Sequence, residues 1–308
     1  MNGRVPNLGE LVRGLNPLQR AVITVNVEGS SLRMTASRGR RILAWLNLPF
    51  NPTLVDEGQI TNPQEMAVVL RNALKRLGYT PASVRAAYSA SRGIVRLVNI
   101  PKTPGVRTVQ VLEREARRLL GAGVDQNHIF WRRLTTTPTE QRYVFVAIPR
   151  AVLNNYLEAL TLSRLRPALV ELKGLALARV AGDARSLVVN VEQSSISTTL
   201  MEAFVPELVA TNALDDAIAF SEEDLGLQLV EEVRAAVEFY DQRFPGSERA
   251  SLPVYLTGGH PLLDSPRFPS MLTEALGITL TPLPQPRLTF DEDFPLPAFF
   301  VNVGLLLS

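Results

Sequence analysis

Two short segments of this 308-residue chain place a carboxamide and a carboxylate two positions apart and follow them with small hydroxyl residues. They are Asn26-Val27-Glu28-Gly29-Ser30-Ser31 and Asn190-Val191-Glu192-Gln193-Ser194-Ser195. Alternate residues of an extended strand share a face, so Asn26 and Glu28 project to one side, as do Asn190 and Glu192. Such oxygen-bearing groups have two uses. They can form an oxygen shell for a hard cation, with Glu28 and Glu192 as ligands, or they can hydrogen-bond the turns and hold two halves of the molecule in one closed arrangement. The second reading is taken, and no metal site is assigned.

Each segment closes an apolar β-type run, Ala21 to Val25 in one copy and Leu187 to Val189 in the other, and opens into a tight turn. The copies lie 164 residues apart, too far for a solenoid, which points to one domain duplicated once with a strand-turn in each half facing a shared cleft. Other catalytic constellations are missing. There is no cysteine, which excludes thiolate nucleophiles, disulfides and Cys-based metal sites. With only His128 and His260, no His-rich metal site can form, and a Ser-His-Asp triad would lack its nucleophile elbow. His260 is expected to cap a turn and His128 to sit on a strand edge. No residue is assigned as catalytic.

The net charge of +2 hides an asymmetry: residues 201–308 carry 17 acidic and 5 basic side chains, so the first 200 residues hold the compensating positive charge. A basic face suits anionic lipid, an acidic protein or nucleic acid. Nucleic acid is set aside because the arginines are scattered and no aromatic-interleaved basic motif accompanies them. The N-terminal residues show no secretion-signal pattern, and the late apolar stretch Ala298 to Leu307 is far short of the roughly 20 residues needed to span a bilayer.

Strand-like and helix-like segments alternate, which argues for an α/β architecture. Helices are expected over Asn7 to Leu15, Asn62 to Leu77, Val106 to Leu120, Arg150 to Leu162, Glu171 to Val180, Glu222 to Phe244 and Ser270 to Leu276. Strands are expected over Leu32 to Ser37, Ile42 to Leu48, Val84 to Ser89, Ile94 to Ile100, Phe130 to Leu134, Tyr143 to Ile148, Ser186 to Leu200, Phe204 to Ala210 and Pro253 to Thr257. The block 42–163, with its own strands and helices, reads as an insertion. The expected division is 1–41 with 164–185 as a first domain, 42–163 as an inserted α+β subdomain, and 186–308 as a second domain.

The order of strand-turn, long insertion, second strand-turn, amphipathic helix and a strand ending in Gly258-Gly259 resembles the actin-like ATPases. More particularly it is similar to the type IV pilus assembly PilM family, relatives of FtsA. The segments that carry the resemblance are Arg96-Leu97-Val98-Asn99-Ile100-Pro101-Lys102, Val144-Phe145-Val146-Ala147-Ile148-Pro149, Leu229-Val230-Glu231-Glu232-Val233-Arg234 with Glu238-Phe239-Tyr240, and Val254-Tyr255-Leu256-Thr257-Gly258-Gly259. The resemblance spans about residues 20 to 308. It implies a ribonuclease H-like fold duplicated into two actin-like domains, with a small α+β subdomain inserted in the first.

It also implies phosphate loops of the form Asp-x-Gly, in which the Asp serves magnesium and the Gly lets backbone amides approach phosphate. This chain has Asn26 and Glu28, and Asn190 and Glu192, at those places. Asn brings no charge to a hard cation, and Glu adds bulk and a like charge where a triphosphate would lie. The degenerate nucleotide positions are therefore Asn26, Glu28, Gly29, Ser30, Ser31, Asn190, Glu192, Gln193, Ser194, Gly258 and Gly259. The three lysines, Lys75, Lys102 and Lys173, adjoin neither loop, and the subdomain that would close over a nucleoside reads as shortened.

The expectation is a pseudo-ATPase without cofactor, with ATP and Mg as the alternative. As the family implies, it would be a cytoplasmic scaffold lying peripherally at the inner membrane and gripping the N-terminal tail of a PilN-like bitopic protein in a groove between first domain and insertion. An active ATPase of the same machinery and a filament-forming, self-associating element are the competing readings.

Overall fold

The computed structural model describes residues 20–89, 93–102, 107–214, 221–246 and 252–308. The helix expected over Asn7 to Leu15 lies outside them, as does the acidic pair Asp215-Asp216.

The chain opens with three antiparallel strands, β1 (Arg20–Glu28), β2 (Ser31–Arg38) and β3 (Arg41–Pro49), joined by two-residue turns. A short hairpin, β4 (Val55–Asp56) and β5 (Gln59–Ile60), leads to α1 (Pro63–Leu77). Asn62 Oδ1 accepts from Glu65 N at 3.1 Å, Pro63 opens the helix, and Gly78 closes it at φ 76°. These are the capping chemistries each end requires. β6 (Thr80–Tyr88) follows, then β7 (Ile94–Pro101), α2 (Thr108–Leu120), β8 (Asn127–Thr136), β9 (Glu140–Pro149) and α3 (Arg150–Leu162). β10 (Pro167–Leu172) runs straight into α4 (Lys173–Ala181).

The second half repeats the plan with β11 (Ser186–Val191), β12 (Ser195–Glu202), β13 (Val205–Ala213), α5 (Glu222–Arg243), β14 (Val254–Gly258) and α6 (Arg267–Leu276), and α7 (Phe300–Leu306) closes the chain. Ser221 Oγ caps α5 by accepting from Asp224 N, with three acidic residues in the first turn where the helix dipole favours them.

The duplication appears as two matching sheets. The first has the order β10-β6-β1-β2-β3 and the second β14-β11-β12-β13, so β1 and β11 each pair antiparallel with the next strand and parallel with a later one. β10 has no counterpart in the second sheet among the described residues. One face of the first sheet packs on α1 and α3 through Ile23, Val25, Met34, Leu70 and Leu160. The second sheet packs on α5 and α6 through Val189, Ile196, Leu229 and Phe268. A third cluster, with Trp45, Leu177, Val188, Tyr255 and Phe300, joins the two halves.

The domain limits differ from those expected. β3 and β6 are strands of the first sheet and α1 packs on its face, so residues 42–88 belong to the first domain rather than to an insertion. α3 belongs to that layer too, since Tyr156, Ala159 and Leu160 join its core. The inserted piece reduces to the three-stranded sheet β7-β9-β8 with α2. It is tied to the second domain by Arg142, whose Nη2 donates to Glu207 Oε2 at 2.6 Å.

The C-terminal run also returns to the first domain. Ile42 N donates to Thr289 O at 2.9 Å, and α7 lies against α4 and β1. The segment expected as one helix over Glu171 to Val180 is strand to Leu172 and helix from Lys173 onward.

The α4–α7 contact is close enough to need a glycine. A Cβ at Gly304 would overlap the Ala176 carbonyl, backbone against backbone. Gly304→Ala is expected to cost about 2–3 kcal/mol, the upper part of the overpacking range. Urea unfolding of the variant reads this directly, and an unchanged midpoint would refute the contact.

Candidate functional site

The parallel strands β10, β6 and β1 all end at one edge of the first sheet, and β14 and β11 end at the corresponding edge of the second. This is where an open α/β sheet presents its binding crevice. Asn26 and Glu28 finish β1, Asn190 and Glu192 finish β11, and Lys173 follows the end of β10 directly. All five side chains are buried.

The two carboxylates each meet a cation of the protein. Lys173 Nζ donates to Glu28 Oε1, burying an ion pair within the first domain. Arg33, opposite Asn26 in the β1–β2 ladder, reaches across the cleft. Its Nη1 and Nη2 donate to Glu192 Oε1 and Oε2, both at 2.8 Å, with Arg33 2% and Glu192 1% exposed. This fork-on-carboxylate geometry is the strongest that arginine makes. Gly259 N also donates to Glu192 Oε2 at 3.3 Å, and Ser195 Oγ from the second half donates to Glu28 Oε2 at 3.5 Å. Two anions and two cations thus form a buried, electrically balanced quartet bridging the halves.

Burial pushes the Glu28 carboxyl above its ordinary range; the Lys173 charge opposes this and the Glu192 charge adds to it. For Arg33, burial disfavours the charge, but the Glu192 carboxylate, by charge and hydrogen bonds, outweighs it, and the net shift is upward.

The turns themselves are in contact. A Cβ on Gly29, at φ 51°, would stand 2.6 Å from Ser194 Oγ, and Ser30 Oγ donates to Gln193 Oε1 at 2.8 Å. Ser31 Oγ donates to the Glu28 carbonyl at 3.4 Å. Gly258, at φ 128°, lies flat on the Val191 backbone, and a Cβ on Gly259 would overlap the Arg33 guanidinium. The Gly pair therefore serves close packing of Arg33.

Asn26 Nδ2 and both amide atoms of Asn190 have no hydrogen-bond partner among the described residues. A neutral carboxamide is tolerated in such a place, whereas a further carboxylate would add unpaired negative charge beside Glu28 and Glu192. Outside the joined turns a cleft of about 670 Å³ remains, lined by Val55, Asp56, Leu214 and His260 among others. His260 Nδ1 accepts from Leu262 N at 3.2 Å, and His128 Nε2 lies 3.0 Å from Asn154 Oδ1 on the edge strand β8.

Magnesium and a triphosphate, which an actin-like fold would suggest, do not fit these residues. The inner cleft is spanned by Arg33–Glu192 and Gly29–Ser194, and both carboxylates already face protein cations. No group of three His, Asp or Glu that could hold a metal occurs among the described residues.

The sequence brings Asn26, Glu28, Gly29, Ser30, Ser31, Asn190, Glu192, Gln193, Ser194, Gly258 and Gly259 together as expected. It misplaces one residue and overlooks another. Lys173, expected to adjoin neither loop, is bonded to Glu28 because β10 carries it to the same sheet edge as β1. Arg33 was findable: a two-residue turn pairing Glu28 with Ser31 also pairs Asn26 with Arg33.

A second concavity, of about 280 Å³, lies where α4, the inserted sheet and the β12–β13 hairpin meet. Leu134 and Val144 of the insertion, Leu175 and Ala178 of α4, and Met201 and Phe204 of the hairpin form its apolar lining, with Arg132 and Arg179 also on its wall. Ala203 and Phe204 form the hairpin turn at φ 51° and 61°, a conformation that favours glycine, yet Phe204 is 69% exposed. Strain kept at an exposed aromatic points to a role for it. No described helix is long and apolar enough to cross a membrane.

A scan against protein-family models finds no match, and a search of curated proteins finds none. Among solved structures, the chain is similar to one in a PilM-PilN type IV pilus biogenesis complex, with TM-score 0.77 and 23% identity over 94% of this chain and 98% of that one. It also resembles the ethanolamine utilization protein EutJ from Carboxydothermus hydrogenoformans, with TM-score 0.55, 13% identity and coverage of 97% and 95%. A Bacteroides thetaiotaomicron protein with an actin-like ATPase fold gives TM-score 0.54 and 10% identity over 97% and 98%. These likenesses establish the actin-like fold.

Proposed function

We propose that this PilM-like, actin-like chain is a scaffold that works without nucleotide. It would serve in a type IV pilus or type II secretion-like inner-membrane assembly platform, gripping the N-terminal cytoplasmic tail of a PilN-like bitopic protein. The observation that carries the nucleotide-free part is the Arg33–Glu192 and Lys173–Glu28 quartet, which occupies the inner cleft with the protein's own charges. In the Asp-x-Gly pattern each loop offers one carboxylate to a metal. In this chain each loop still holds one carboxylate, two residues later, and an arginine or lysine takes the metal's place. The molecule is then a pseudo-ATPase, cytoplasmic and peripheral at the inner membrane.

The grip is assigned to the groove between α4, the insertion and the β12–β13 hairpin. Its apolar lining suits the apolar side chains of an extended tail, and the solved complex of PilM with PilN supports a partner of that class. Replacing Ala203-Phe204 by Asn-Gly relaxes the turn, so the variant is expected to gain about 1 kcal/mol of stability. It should also lose tail affinity tenfold or more, read by isothermal titration with a synthetic PilN-type tail peptide. Unchanged affinity would remove Phe204 from the site, and no binding by the native chain would overturn the proposal.

A further inference from the structure

The quartet and the groove share one element, α4. Its first residue, Lys173, is bonded in the cleft to Glu28. Two to six residues on, Leu175, Ala178 and Arg179 form a wall of the groove. At 1.5 Å per residue these positions lie within about 9 Å along a single short helix, which moves as one body.

The helix has little freedom elsewhere. A Cβ on Gly174 would stand 2.6 Å from Val209 Cγ1 and 2.7 Å from Thr199 Oγ1 of the second domain. Gly304 abuts the Ala176 backbone, and Arg179 Nη1 donates to Gly304 O at 2.8 Å. The N-terminal anchor and the groove wall are therefore mechanically one part.

We infer that the Lys173–Glu28 pair acts as a built-in effector: it fixes α4 and so holds the groove in its tail-binding shape, which links groove occupancy to cleft closure. The inference rests on the proposed tail-binding function and adds its regulation. Lys173 and Glu28 are positioning residues, since neither lines the groove. Linkage is reciprocal, so a tail bound in the groove must in turn tighten the cleft.

The test is hydrogen exchange by mass spectrometry on the full chain, with and without a synthetic PilN-type tail peptide, together with the peptide's Kd. In the native protein the peptide should slow exchange in the groove and also in the turns at residues 28–31 and 192–195. Glu28→Gln should weaken the peptide tenfold or more and confine the slowing to the groove. Glu57→Gln, at the cleft mouth, should change neither.

Native protein that binds the peptide with no slowing at the turns overturns the inference and leaves the function standing, and so does equal affinity in Glu28→Gln. Native protein that does not bind overturns both. Should Glu28→Gln fail to fold, the native exchange pattern decides alone, with Lys173→Arg expected to keep it because the positive charge is retained.

Discussion

Replacing Glu192 by alanine is expected to destabilise the protein by about 3–5 kcal/mol, the usual cost of breaking a buried ion pair from one side. Arg33 would remain buried with its two charge-assisted hydrogen bonds gone, and its Nε already has no partner among the described residues. The guanidinium cannot discharge itself, because its pKa lies far above working pH and the cleft raises it further. The loss therefore cannot be relieved by giving up a proton. The double variant Arg33→Met with Glu192→Met removes both charges at similar volume and should recover most of the loss, since well-packed apolar replacements of buried pairs are often neutral. Urea unfolding of the single and double variants forms a cycle. A loss below about 1 kcal/mol in Glu192→Ala, the level of a surface pair, would mean that the bridge between the halves is not buried as described.

Lys173→Met leaves the opposite charge stranded and should behave differently with pH. At pH 7 the expected loss is again about 3–5 kcal/mol, because Glu28 is buried without its cation. Glu28, unlike Arg33, can neutralise. Burial already raises its pKa above the model value of 4.5, and removing Lys173 takes away the largest influence that lowers it.

A carboxyl whose folded pKa is raised binds its proton more tightly when folded. Its favourable contribution is fully present below the unfolded value and is lost as pH rises through the folded value. The Lys173→Met variant should therefore regain stability, relative to the native protein, as pH falls from 7 toward the ordinary carboxylate range. Glu192→Ala should show no such recovery through Arg33. Parallel pH profiles for the two variants would contradict the assignment of partners in the quartet.

Much of this was legible in the residues, and where it was not the reason is physical. Asn62-Pro63 and Gly78 delimit α1 by local capping chemistry, so the sequence shows that helix to the residue. The convergence of Asn26, Glu28, Asn190 and Glu192 follows from strand alternation and the repeated turn. Lys173 was hidden because β10 abuts α4 with no Gly, Asn or Pro at the junction to mark a change of period, so strand and helix read as one segment.

The domain limits were hidden for another reason. β6 and β10 join the first sheet by parallel pairing with strands far away in sequence, and no local signal encodes such pairing. The same holds for the return of Thr289 and α7 to the first domain, which depends on contacts across some 250 residues. The strained Ala203-Phe204 turn ran against expectation, because a two-residue hairpin turn is normally sought through Asn-Gly or Asp-Gly.

Isothermal titration of the native chain with a PilN-type tail peptide, in the absence and presence of MgATP and with MgATP alone, tests the central claim most directly. The account predicts saturable tail binding with the same Kd in both conditions and no saturable heat from MgATP, since the charges that would meet a triphosphate and its ion are already joined to one another. Micromolar binding of MgATP, or a tail Kd that shifts tenfold or more when MgATP is added, would contradict it.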